Sequence, residues 1–408
     1  MRILNNEVDW SIPSWADSEA EMVSVLSQLQ EMSFPSEREE DWRYGDIDDV
    51  TLEGLKIEPL EAKPTIEAAI QTGVGGVSEL IAPYGEFDNV IILTNGSPSG
   101  IKLSPDSTLE TTGSSKRRGE LEGFELVDYG FSQIPLRLSL PPRTTRTIIC
   151  DLGSQNASLG LRTLEIVVAD NAEHEIFEIR SGGARDSIEV PRTALVIGEN
   201  SKVTYTSLQN RELDTKEFAY LNISAGKDST VNCFHLAVGA RYGRLRTDCD
   251  LVGENASAKL LSGYIGGGDQ TLEFRTFQNH LAKKTRSELL YKGALAGSSH
   301  SIYSGLIHIA KGAVGSDAFQ TNRNLVLSDS SHADSVPNLD IQENDVRCSH
   351  ASAVGPVEDD QLYYLACRGV EPGTAERILV RGFFKELLGS DPLEVLEGVI
   401  FDSLEEKW

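Results

Sequence analysis

Cys348, Ser349 and His350 form the most suggestive local arrangement in the chain. In an extended segment residues i and i+2 project from the same face, so thiol and imidazole stand side by side. Both groups are good ligands for iron or another soft transition metal. Two ligands are too few for a closed structural zinc site. A functional pair therefore needs further ligands from elsewhere, such as a second chain. On spacing alone, a buried cysteine beside a hydrogen-bonded histidine is the simpler account.

Other catalytic signatures are missing. The remaining histidines are His174, His235, His280, His300, His308 and His332, and none belongs to an HExxH pattern. His235, His300 and His308 fall in strand-like stretches and are expected to be structural. There is no Gly-x4-Gly-Lys-Ser/Thr loop to cradle ATP, no Gly-x-Gly-x-x-Gly opening a helix, and no Gly-x-Ser-x-Gly elbow. Gly263 and Gly266–Gly268 read as a turn between strands. Acid pairs such as Asp48–Asp49 and Asp359–Asp360 read as solvated surface. No catalytic residue is assigned, and the chain is not expected to be an enzyme.

Charge narrows the partners. The 408 residues hold 37 Lys+Arg against 63 Asp+Glu, a net charge of −26. That balance speaks against nucleic acid and against anionic membrane as partners. The excess is concentrated at the ends: residues 1–60 carry 15 acids and 4 bases, and residues 357–408 carry 12 acids and 5 bases. No stretch approaches the roughly 20 apolar residues of a membrane span. Five cysteines without a CxxC pair, and no apolar leader at the start, fit a reducing cytoplasm.

The elements that must position these residues fall into three blocks: a helical unit over 1–60, a β core over 61–356 and a helical unit over 357–408. In the first, Ser18 caps a helix with a stripe of Met22, Val25, Leu26, Leu29 and Met32, followed by acidic Glu39–Tyr44. The core reads as short strands separated by turns. They include Asn89–Thr94, Leu161–Val168, Lys202–Leu208, Thr230–Val238, Thr271–Gln278, Ser301–Ile309 and Asn338–Ile341. Gly253–Asn255, Gly266–Gly268 and Gly312–Gly315 are the turn signals. No amphipathic helix interrupts residues 194–345, so a doubly wound α/β fold is disfavoured. Texture favours a β-helix over a sandwich, and the helical termini are candidates for its end caps. In the third block, Pro356 opens a helix that Gly369 ends, Thr374 caps a second, and Asp391–Pro392 starts a third.

The chain resembles the SufB/SufD family of the SUF iron–sulfur cluster assembly machinery. The residues that carry this are Asn279-His280, Tyr291-Lys292-Gly293, Ser304-Gly305 and Gln320-Thr321-Asn322-Arg323-Asn324-Leu325. They continue with Pro337–Ile341, Asp345-Val346-Arg347-Cys348-Ser349-His350, Asp360–Leu365, Arg368-Gly369-Val370 and Gly382-Phe383. The match is strong over 279–384 and loose elsewhere, including Glu40–Tyr44. Within the family the chain looks like SufD rather than SufB. Leu327–Asp334 lacks the SufB-type cysteine, and Ala351 stands where SufB has glutamate.

The resemblance implies a right-handed parallel β-helix between helical terminal domains. It implies pairing with SufB along that helix, a possible homodimer, and binding of the SufC ATPase by the C-terminal helices. His350 then matches the histidine at the SufB interface and Cys348 the cysteine beside it. Both become candidate ligands for iron or a nascent iron–sulfur cluster shared transiently with SufB, with no cofactor tightly bound in the isolated chain. Tyr363, Arg368 and Phe383 are the candidates for the SufC contact. ATP hydrolysis would belong to SufC, in keeping with the missing P-loop. The alternatives are a β-helix enzyme acting on carbohydrate and a SufB-like scaffold that builds a cluster itself.

Overall fold

The computed structural model describes residues 27–29, 66–72, 77–112, 122–132, 134–156, 158–387 and 394–408. Residues 27–29 are helical, but most of the Ser18–Met32 stripe, the Glu39–Tyr44 stretch and the Asp391–Pro392 pair lie outside the described residues.

The helices are α1 (Ile66–Thr72), α2 (Ser78–Ile81), α3 (Gly123–Phe131), α4 (Asp359–Ala366), α5 (Pro372–Lys385) and α6 (Glu394–Lys407). The strands begin with β1 (Asn89–Thr94), β2 (Ser97–Lys102), β3 (Thr108–Thr111), β4 (Leu136–Leu140), β5 (Thr144–Leu152) and β6 (Leu159–Val168). Next come β7 (Glu173–Gly182), β8 (Ile188–Ile197), β9 (Lys202–Arg211), β10 (Lys216–Ala225), β11 (Thr230–Ala237), β12 (Tyr242–Leu251) and β13 (Ser257–Gly266). The series closes with β14 (Thr271–His280), β15 (Arg286–Leu295), β16 (His300–Ile309), β17 (Asp317–Val326), β18 (His332–Ile341) and β19 (Arg347–Gly355).

Successive strands alternate between two sheets. One runs β19-β17-β15-β13-β11-β9-β7-β5-β1-β2 and the other β18-β16-β14-β12-β10-β8-β6-β4-β3. Each strand from β4 to β17 pairs in parallel with the strand two places later. Equivalent residues therefore recur one turn apart: Ser207 reaches His235, 28 residues on, and Thr145 reaches His174, 29 on. The result is a parallel β-solenoid of about eight turns, as the β-helix reading anticipated. The sandwich is excluded, because its strands pair antiparallel within each sheet.

The corners repeat as well. Asn171, Asn200, Asp228, Asn255 and Lys284 all adopt the left-handed conformation, with φ between 54° and 63°. Asn and Asp tolerate that region better than most residues because their short polar side chains bond locally. Here they bond to one another: Asn200 Nδ2 donates to Asn171 Oδ1 at 2.8 Å, and Asn255 Nδ2 to Asp228 Oδ1 at 2.9 Å. Backbone bonds continue the column through Lys284 to Gly315.

Two cores hold the solenoid. Inside it, Leu138, Ile166, Leu195, Ile223 and Cys249 stack in register on successive turns of the second sheet. The same interior carries a buried ionic network of Asp151, Arg162, Glu178, Arg180, Arg211 and Glu217. Burial alone would raise the Glu178 carboxyl, but Arg162 and Arg180 more than offset this and hold it below the ordinary carboxylate range. The second core lies outside the first sheet. There Phe234, Leu236, Ile265 and Ala294 receive Val380, Phe384, Leu387, Leu396, Ile400 and Leu404 from α5, α6 and the segment between them.

α3 lies on the outside of the second sheet. Its Asp128 accepts from Thr163 Oγ1 at 2.6 Å and from Arg192 Nε at 3.0 Å, and Phe124 stacks on Phe218.

The two ends of the solenoid differ. The first is closed by antiparallel β2 and β3, with α1 packed against β2 and Ala69 entering the interior core. The other end is not covered by the C-terminal helices. They run along the flank, packed into the outer apolar core. α6 is pinned there by Lys407, whose Nζ donates to Ile265 O at 2.9 Å and to Gln270 Oε1 at 2.7 Å. Burial lowers its ammonium to about 8. Among the described residues no helix is long and apolar enough to cross a membrane.

Two helix starts differ from expectation. α4 begins at Asp359 rather than at Pro356, because Val357 is drawn into the flank core. α5 is capped by Glu371, whose carboxylate accepts from the Thr374 backbone N–H at 3.1 Å; Thr374 itself lies inside the first turn. The end of α4 is as expected. Gly369 takes φ +82°, and the Val370 N–H reaches back to Leu365 O at 3.2 Å.

Candidate functional site at the open end

The last turn of the solenoid, β18 and β19, ends both sheets. Among the described residues each of these strands has one ladder partner and a free edge, an arrangement that invites pairing with another chain. Leu339, Ile341 and Val354 are exposed on this turn.

β19 carries Cys348 and His350. In the parallel register they stand opposite Ala318 and Gln320 of β17, both buried. The two therefore share the inward side of the final turn, as i, i+2 spacing requires. Cys348 is half-buried against Ile307, Ile309, Ala313 and Ala318. That partial burial pushes its thiol above the ordinary value. His350 is exposed. Beneath it, the buried Gln320 side chain finds no hydrogen-bond partner for either amide atom among the described residues. Cysteine and histidine thus offer one sulfur and one imidazole at an exposed edge, and this strand supplies no third metal ligand beside them.

The remaining motif residues build the platform. His280 is fully buried, its nitrogens 2.8 Å from Thr285 Oγ1 and Ser287 Oγ, and burial lowers it to about 4. Tyr264, Asn322 and Asn324 bond to one another inside the last turns at 2.6–2.9 Å. The glycines of the motifs make room. A Cβ on Gly293 would lie 2.0 Å from Tyr264 Cε2, and one on Gly305 would lie 2.3 Å from Gln320 Nε2.

Lys292 locks the flank helices to the solenoid. Its Nζ donates to Phe383 O at 2.7 Å, bonds the Glu386 carboxylate and sits 4.6 Å from the centre of the Phe383 ring. Phe383 is therefore engaged within the chain. Tyr363, by contrast, is 73% exposed on α4, and Tyr364 and Ile378 are exposed nearby. Arg368 is exposed, with its guanidinium 3.5 Å from the Tyr364 ring centre. Tyr363 on α4 and Arg368 in the turn that follows it are both exposed, whereas Phe383 is engaged by Lys292 of β15.

The other histidines are held by the fold. Burial lowers His174 and His235 below the ordinary imidazole range, and each accepts or donates to a neighbouring hydroxyl. His300 and His308 each face a carboxylate across the β16–β18 ladder, Asp334 and Asp340, at 2.8 Å.

Comparison with known proteins places this arrangement. Residues 152–383, more than half the chain, match the domain described as SUF system FeS cluster assembly, SufBD core domain. An iron–sulfur cluster assembly SufBD family protein of Mycobacterium bovis is 34% identical over 222 residues, covering 52% of this chain and 55% of that protein. The iron–sulfur cluster assembly protein SufD of Bacillus subtilis is 30% identical over 255 residues, 59% of this chain and 56% of that one. SufD of Escherichia coli is 26% identical over 196 residues, 48% of this chain and 46% of that one. The matches thus span about half the length of these relatives. With its parallel solenoid, its motif glycines at close-packed positions and its Cys348–His350 pair at the open end, this chain belongs to the SufBD family of the SUF iron–sulfur cluster assembly system.

Proposed function

We propose that this chain is a SufD-type, non-catalytic subunit of a cytoplasmic SufB–SufC–SufD scaffold complex. Its open end pairs with SufB, and the surface of α4 and α5 bearing Tyr363 and Arg368 binds the SufC ATPase. Iron or a nascent cluster is cargo shared transiently with SufB, with Cys348 and His350 as this chain's ligands. The observation that carries the reading is the uncovered last turn. It brings together backbone edges, exposed apolar side chains, the exposed His350 and the half-buried Cys348, in a chain whose relatives include SufD proteins. The absence of a cysteine in Leu327–Asp334 supports a SufD-like role over a scaffold that builds clusters alone.

The test is co-expression with SufB and SufC from the same source, followed by pull-down and by cluster assembly in cells. A stable three-component complex is expected. The His350→Ala variant should assemble equally well yet support less cluster formation. Failure to recover any complex overturns the reading. Full cluster formation by the variant reduces His350 to a structural residue.

A further inference from the structure

The solvent-facing side of the second sheet carries a cluster that this reading does not use. His300 of β16 and His332 of β18 are direct partners in the parallel ladder, and their ring centres lie 5.2 Å apart. Asp334 follows His332 by two residues and shares its face. Its carboxylate meets both rings: Oδ2 is 2.8 Å from His300 Nε2, and Oδ1 is 3.4 Å from His332 Nε2. One nitrogen from each ring and one carboxylate oxygen lie within 4.8 Å of one another. The His332 side chain is 67% exposed, while His300 and Asp334 are 23% and 26% exposed.

We propose that His300, His332 and Asp334 form a binding site for a divalent first-row transition ion of the Zn2+ or Fe2+ class. Two imidazoles and one carboxylate are a donor set that such ions use, with remaining positions left for water or another ligand. The ladder supplies the preorganisation. Neighbouring strands run about 4.8 Å apart, so in-register histidines on one face bring their nitrogens together without any loop. In the free protein the carboxylate is hydrogen-bonded to the His300 ring and lies 3.4 Å from the His332 ring. A bound ion takes the place of those contacts, with ligand distances of about 2.0–2.2 Å reached by side-chain torsions alone. The exposure of His332 leaves one side open, which gives an exchangeable site rather than a closed structural one.

The same two strands hold a built-in comparison. His308 and Asp340 face each other at 2.8 Å in the same ladder, but among the described residues no second imidazole joins them in a ligand cluster. Two ligands make a weaker site than three. The Cys348–His350 pair lies on β19 in the other sheet, so the two sets of ligands are separate. The inference does not depend on pairing with SufB or SufC.

The experiment is titration of the purified full chain with Co2+ followed by absorption, and with Zn2+ followed by calorimetry. Wild type and a Cys348→Ser/His350→Ala variant are run in parallel, so that any ion at the open end is counted apart. One ion per chain is expected to remain in the double variant, without a thiolate-to-cobalt charge-transfer band. His332→Ala and Asp334→Asn should each weaken that ion at least tenfold, since even outer-shell changes cost about 10–100-fold in metal affinity. His308→Ala should leave it unchanged. His332 is exposed, so its loss spares the fold, and Zn2+ should raise Tm of the double variant but not of the double variant carrying His332→Ala as well. The proposal is overturned if the double variant binds no ion at micromolar concentration, or if binding survives when His332→Ala is added to that double variant.

Discussion

At the residue scale, the chain uses histidine in two opposed ways. His280 is sealed among hydroxyls and kept neutral, while His350 is left in the open. The sealed one should make the protein acid-sensitive. Its imidazole falls to about 4 in the folded state, against an ordinary 6.5. Between those values the unfolded chain binds the extra proton, so stability rises with pH there and is lost as pH falls from 6.5 towards 4. The full contribution is about 3 kcal/mol. In urea unfolding at pH 7.5 and pH 4, His280→Gln should flatten the acid loss by about that amount; an unchanged slope would mean that His280 is protonated while folded. The sharing of one face by Cys348 and His350 was legible, because an extended segment alone dictates it. The His300–His332–Asp334 cluster was not. Its members come together only through a cross-strand register, which no local spacing encodes.

At the element scale, strand positions were read well where the interior is apolar. Asn89–Thr94 coincides with β1 from end to end. β7 shows why others escaped notice: in Glu173–Gly182 the inward residues include Glu178 and Arg180, so polar alternation no longer marks the outside. Helix starts were blurred for a related reason. Thr374 and Glu371 are both competent caps, and only geometry selects Glu371. Glycine placement is a sharper determinant of strand packing. Gly293→Ala puts a methyl group into the ring of Tyr264, which Asn322 and Asn324 hold in place. A destabilisation of about 1–3 kcal/mol is expected from such overpacking. Gly355→Ala on β19 meets nothing within 4 Å and should stay within about 0.5 kcal/mol of the wild type. Chemical denaturation of the two variants tests the contrast, and equal effects would refute it.

At the scale of the whole molecule, texture alone left solenoid and sandwich open, since both are built from alternating strands of similar length. What separates them is the partner of each strand, which here lies one full turn later rather than next in sequence. Stability should follow that connectivity, because each turn contacts only its neighbours. Amide hydrogen exchange in the isolated chain is expected to be slowest over β9–β15, which have turns on both sides and helices on the flank, and fastest over β18 and β19. Protection of the last turn on addition of SufB would agree with docking there; uniform protection in the isolated chain would contradict the end asymmetry. The acidic C-terminal segment lies along the flank, so its charge is presented sideways rather than at the open end. Finally, the column of left-handed corners from Asn171 to Lys284 makes the solenoid a ruler. Every turn leaves the corner in the same conformation and advances about 4.8 Å. Excising one complete turn would therefore bring the closed end nearer to the open one by that single increment, with the relative rotation changing by the twist of one strand pair. The spacing between whatever docks at the two ends is thus written in the number of turns, and evolution or design can reset it in discrete steps.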